Sequence, residues 1–269
     1  MKRFSLLSVL FASLVFASCV EDIEGCLDPL ARNFDPTADI ECCCEYPELK
    51  LNFVYRYDSL VFSTESAYYR SGFMDSIMVT DFSVTMYDYA LCGMGFCDTL
   101  SNSEMIYVSN GSDSMQAIFK NDIVRLNPNQ FNYTVAEARG VNDYDSLTWD
   151  FGLSTFMNGI RPYGLGDHVL ADLAEEGLWQ DGVGYDVFFL ELRQGSQLEN
   201  SISLNFAVGE VSVSSSIVQT FGKREGEGIT LDLKADFAAL VKDVDFANLT
   251  DEEIRAEIVE NLSEFVTLR

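Results

Sequence analysis

"ELKLNFVYRY", residues 48–57, sends Leu49, Leu51, Phe53, Tyr55 and Tyr57 to one side and Lys50, Asn52 and Arg56 to the other. An alternation of period two is the mark of a strand with one face in a core. "DSIMVTDFSVTMYDYAL" (75–91) reads as a longer strand with Met78, Thr80, Phe82, Val84 and Met86 on a shared face. "DSLTWDFGL" (145–153) sets Leu147, Trp149 and Phe151 against Ser146, Thr148 and Asp150. "GYDVFFLELR" (184–193), "SISLNFAVG" (201–209), "EVSVSSSIVQTF" (210–221) and "GITLDLKADF" (228–237) add four strands, with the shorter "MIYVS" (105–109) and "QAIFK" (116–120) between. Turn chemistry separates them at "SNGSD" (109–113), "LNPNQ" (126–130) and "KREGEG" (223–228). Strands at this spacing predict an all-β chain, an antiparallel β-sandwich. The tail changes period. "TDEEIRAEIVENLSEF" (250–265) opens on a capping box, Thr250 with Glu253, and places Ile254, Ile258 and Leu262 on one stripe, so a short helix closes the chain.

The opposite end reads as an export signal. Lys2 and Arg3 precede an apolar run, Phe4 to Phe16, then Ala17, Ser18 and Cys19. "FASC" resembles the lipobox of bacterial lipoproteins, which implies lipidation of Cys19. The acidic Glu21, Asp22 and Glu24 that follow resemble the export tag of some surface lipoproteins. Acyl chains on Cys19 would hold the protein in a membrane, each buried methylene contributing about 0.8 kcal/mol. The chain thus divides into a signal peptide (1–18), a lipidated Cys-rich tether (19–47), the sandwich (48–249) and the closing helix (250–269). The expected location is the outer membrane, facing the cell surface.

Seven cysteines remain to be explained: Cys19, Cys26, Cys42, Cys43, Cys44, Cys92 and Cys97. Lipidation of Cys19 leaves an even number in an oxidising compartment, where disulfides are the default. "CGMGFC" (92–97) has the length of a small cross-linked loop. Cys26 and the triplet Cys42, Cys43 and Cys44 admit three pairings, and a soft-metal thiolate site is the alternative. The segment "GCLDPLARNFDPTADIECCCEY" (25–46) resembles a short disulfide-closed module that follows the signal peptide in many bacterial surface proteins. Its Asp28, Asn33, Asp35 and Asp39 are calcium candidates, although their spacing is not that of a dedicated calcium loop.

A formal charge of −26 repels nucleic acid and anionic lipid, and excludes nucleic acid as a partner. Removing residues 1–18 takes Lys2 and Arg3 away and leaves the chain more acidic still. Nucleophile elbow, P-loop and dinucleotide fingerprint are all missing. "DLAEE", with Asp172, Glu175 and Glu176, is where a glycosidase-like pair would be sought, and a solvated acidic face explains it more simply. The expectation is a protein that is not an enzyme.

Several segments in order resemble the MbnP-like domain family over roughly 48–247: "DSIMVTDFSVTMYDYAL", "VNDYDSLTWDFGLS", "LWQDGVGYDVFFLEL", "LNFAVGE" and "GITLDLKADFAAL". The resemblance implies a copper-binding sandwich whose metal is held by histidines and by a tryptophan oxidised to kynurenine. It also implies a dihaem peroxidase-like maturation partner. Here the chain departs from the pattern, for it has one histidine, His168, with Trp179 as the tryptophan candidate. Ala207 stands where a strand histidine is expected, and Asp181 where a second tryptophan is expected. The plain readings are a solvated loop for His168 and a core-edge anchor for Trp179. Met74, Met78, Met86 and Met94 crowd one region and could serve copper(I), or simply pack. Two functions follow: a copper-handling lipoprotein, or a metal-free extracellular interaction module on the same sandwich.

Overall fold

The structure is a computed structural model describing residues 22–100, 103–110, 113–120, 122–140, 143–163, 165 and 168–269, with 103–110 and 113–120 given as backbone path. The signal peptide and Cys19 lie outside the described residues. The principal elements are β1 (Glu48–Tyr57), β2 (Asp75–Gly93), β3 (Val124–Leu126), β4 (Asn132–Glu137), β5 (Asp143–Phe151) and helices α1 (Thr155–Asn158) and α2 (Val169–Glu175). They continue with β6 (Gly184–Gly195), β7 (Asn200–Ala207), β8 (Val213–Gly222), β9 (Ile229–Asp236), α3 (Phe237–Leu240), α4 (Asp251–Phe265) and β10 (Val266–Leu268).

Two sheets share one core. The larger runs β6–β2–β5–β8, with β7 beyond β6 and β3 on the flank of β2. The smaller runs β4–β1–β9–β10. Leu49, Leu51, Phe53, Tyr55 and Tyr57 are all buried, as are Leu147, Trp149 and Phe151, so those alternations point at the space between the sheets. Ser103–Asn110 and Asp113–Lys120 pair as two antiparallel strands. The architecture is the β-sandwich expected.

Three details differ from the sequence reading. First, β1 and β9 run parallel, Leu49 beside Ile229 through Arg56 beside Asp236, within otherwise mostly antiparallel sheets. Alternation reports which face is buried and carries no information on direction; a parallel neighbour needs only a long crossover. Second, β2 changes face along its length. Its register to β6 shifts between Asp81 and Val79, so Ile77 and Val79 are buried before the shift and Phe82, Val84 and Met86 after it. One extra residue in a bulge reverses the alternation, and Met78 and Thr80 are only half-buried. Third, α4 does not end the chain. Its capping box forms as expected, Thr250 N–H donating to Glu253 Oε2 at 2.8 Å, and Ile254, Ile258 and Leu262 are buried. The backbone then extends into β10 and pairs with β9.

Three disulfides cross-link the described chain, two in the segment 26–44 and one in the sandwich. Cys26 joins Cys44, Cys42 joins Cys43, and Cys92 joins Cys97. Three disulfides fit an exported protein. Among the described residues no helix is long and apolar enough to cross a membrane. The Cys26–Cys44 bond closes 18 residues of chain, which contributes about 3 kcal/mol in the chain-entropy account. The Cys42–Cys43 bond joins neighbours and constrains almost nothing. Cys26→Ser with Cys44→Ser is therefore expected to open the segment 26–44 to limited proteolysis while the melting of the sandwich stays nearly unchanged. A sandwich that melts together with the segment 26–44 would refute this.

Candidate functional site

The residues singled out for metal binding occupy separate and committed positions. His168 is 1% exposed, not solvated: it caps α2, its Nδ1 accepting the Leu170 N–H at 3.1 Å, while Leu170 and Leu173 anchor the helix in the core. A polar-looking loop concealed a helix start, because histidine is a rare cap and sequence patterns do not anticipate it. Trp179 is half-buried, pairs with Tyr185 across a two-residue ladder, and meets the Tyr163 ring edge-on at 5.6 Å. Ala207 offers no donor, and Asp181 is exposed, 3.7 Å from Arg161.

The methionines do not gather. Met74 precedes β2 and Met94 follows it, 80% and 77% exposed, at opposite ends of a 19-residue strand. At about 3.3 Å per residue the two ends are on the order of 60 Å apart along the strand. Asp28, Asn33, Asp35 and Asp39 serve hydrogen bonds within the N-terminal disulfide-linked segment: Asp28 accepts from Leu30 N–H and Tyr46 O–H, and Asp35 from Thr37. Asn33 bridges Cys43 and Glu45, and Asp39 accepts from Ile23 N–H. Among the described residues no three of His, Cys, Asp and Glu converge as a metal-binding group. These donors do not fit a copper centre.

The structure instead shows a polar cleft of about 510 Å³ on the outer face of the larger sheet. The strands set its floor by register. Ser83 on β2, Phe189 on β6 and Asn205 on β7 lie side by side, facing away from the core that Phe82, Phe188 and Leu204 fill. Arg125 on β3 pairs with Thr85 of β2 and therefore shares this outer face. Its Nη2 donates to Ser83 Oγ at 2.5 Å, and its Nη1 lies 3.7 Å from Glu176 Oε2. Asp81, at the bulge of β2, and Asp186, near the start of β6, line the same space.

The walls come from loops. One is the Asn-Pro turn after β3, where Asn127 Oδ1 accepts the Asn129 N–H at 3.0 Å. The other is the turn from α2 into Trp179, carrying Glu176 and Gln180. The Asp186 N–H of β6 donates to the Leu178 carbonyl of this second wall at 2.7 Å, and Gly184, at the start of β6, admits the end of α1. Its φ of +109° and missing Cβ let Asn158 Oδ1 approach and accept the Tyr185 N–H at 2.8 Å.

One guanidinium faces three carboxylates inside the cleft. Burial lowers the pKa of the Arg125 guanidinium from its ordinary value, and Glu176, Asp81 and Asp186 oppose that loss. Burial raises the pKa of the Asp186 carboxyl, the Glu210 charge adds to the rise, and Arg125 offsets part of it. Arg125, Asp81, Asp186 and Asn205 escaped the sequence reading, although two traces were present: a lone arginine inside "DIVRL" and an aspartate in β2 directly before Phe82, where the alternation changes face.

No family model matches the chain, and no curated protein matches it. Among solved structures, the chain is similar to MbnP from Methylosinus trichosporium, with a TM-score of 0.45 and 11% identity over 75% of this chain and 79% of that chain.

Proposed function

We propose that this chain is an exported, lipid-tethered β-sandwich that works by binding a ligand, with no catalytic step and no copper centre. The observation that carries the reading is the fate of His168. The one imidazole of the chain is buried and its Nδ1 already accepts a helix N–H, so it is built into the fold rather than presented to a metal. A copper site needs several nitrogen or sulfur donors converging on one point. The cleft offers oxygen acceptors, carboxamides and a guanidinium instead. Cys19 supplies the attachment to the membrane, with the sandwich on the outer side, and the acidic surface keeps it apart from anionic lipid.

The test is metal analysis with peptide mass measurement on protein exported in the presence of copper. The expected result is no retained copper, an unmodified Trp179 peptide, and lipid mass on the peptide beginning at Cys19. Near-stoichiometric copper with an oxidised Trp179 would overturn the metal-free reading. It would also restore copper handling and the dihaem peroxidase-like partner. An unlipidated chain in the soluble fraction would overturn the tether.

A further inference from the structure

The cleft's donors and acceptors narrow its ligand, on the understanding that the chain works by binding. Three carboxylates, Asp81, Glu176 and Asp186, face the space, so an anion would enter against their charge and that of the whole chain. A cation would meet Arg125, which is held at the floor by Ser83 and Glu176. Carboxylates only accept hydrogen bonds, a guanidinium only donates, and carboxamides do both. A group that can answer all three without charge is the hydroxyl.

The lining is too polar for a mostly apolar ligand, and the volume falls within the roughly 300–1,000 Å³ of small-molecule sites. Phe189 adds one half-buried aromatic face between Ser83 and Asn205, suited to the C–H face of a sugar ring. We propose that the cleft binds a neutral saccharide, its hydroxyls held by Arg125, Asp81, Asp186 and Asn205 and one ring laid on Phe189.

The experiment is a two-dimensional amide NMR titration of the exported chain with maltose, cellobiose and N,N′-diacetylchitobiose. The galacturonate dimer serves as the anionic probe and the glucosamine dimer as the cationic one. At least one neutral dimer is expected to shift the amides of Ser83, Phe189 and Asn205. Asn205→Ala, a change on the exposed side of β7, is expected to weaken that binding about fivefold, the worth of one neutral hydrogen bond. Arg125→Met is expected to weaken it about thirtyfold. Should Arg125→Met fail to fold, Asn205→Ala carries the test alone.

Shifts at these amides from a charged dimer only would overturn the assignment of a neutral ligand, and with it the proposal, and leave the binding reading standing. No shift from any dimer would overturn the proposal, while copper and mass still decide the function above. New reducing-end signals during the titration would show that the dimer is cut, and would overturn the non-enzymatic reading instead.

Discussion

Phe237→Ala is expected to cost about 3–5 kcal/mol of stability, the range for deleting a fully buried phenylalanine side chain. The ring is 0% exposed and sits where both sheets and the C-terminal helix meet. It stacks on Phe62 with centroids 3.7 Å apart and meets Phe82 at 4.9 Å and Phe265 at 5.4 Å, both edge-on. Those partners come from the loop after β1, from β2 and from the end of α4. Truncation therefore removes contacts from three directions at once, and a rigid frame of aromatic rings cannot collapse into the cavity. The backbone there is also pinned, since Asp236 Oδ1 accepts the N–H groups of both Ala238 and Asp58. Urea denaturation would show a lower midpoint at an unchanged slope. A loss below about 1.5 kcal/mol would mean that the junction is plastic, contrary to this account.

Arg70→Met is expected to be comparably damaging, for an electrostatic reason. Arg70 donates from Nε and Nη2 to the two oxygens of Asp75, at 2.9 and 2.6 Å, and from Nη1 to the Val244 carbonyl at 2.7 Å. The guanidinium also lies 4.4 Å from the centre of the Phe73 ring and 5.0 Å from that of Phe246. The side chains of Arg70 and Asp75 are 6% and 15% exposed, so water screens the pair poorly. Removing the arginine leaves a carboxylate nearly enclosed and a carbonyl without its donor, a combination that costs about 3–5 kcal/mol. Arg70→Met with Asp75→Leu should recover most of that loss, because an apolar pair of similar volume incurs no desolvation. A double-mutant cycle measures the difference. A double variant as unstable as the single one would show that the rings and the Val244 carbonyl, rather than the ion pair, carry the effect.

The sandwich was legible because its signal is repeated. Leu49 to Tyr57 and Leu147 to Phe151 alternate without interruption, and Thr250 with Glu253 announces a helix through chemistry confined to four residues. The unread parts share a cause. Asp81 marks the bulge that turns β2 over, yet a single polar residue within an apolar strand is equally compatible with an unbroken one. The direction of β9 depends on a partner almost two hundred residues away, and the strand after α4 on one beyond the whole helix, and no local pattern encodes either. The cleft is the extreme case. Arg125, Asp186 and Asn205 lie on three strands, each looking like an ordinary solvent-side residue, and only the register of β3, β6 and β7 against their neighbours assembles them. His168 shows the reverse: an isolated residue with an obvious chemical reading that the fold spends on a helix cap.

The parallel pairing of β1 with β9 also bears on the order in which the chain can close. Residues 48–57 emerge early and residues 229–236 late, so one edge of β1 has no neighbour until most of the polypeptide has been delivered. Contacts this distant in sequence form slowly, because a long loop must close before they contribute. The smaller sheet thus stays half-built, β1 with β4, while the larger sheet is being completed strand by strand. Closure of the sandwich waits for β9 and β10, the elements that also carry Phe237 and the packed face of α4 into place.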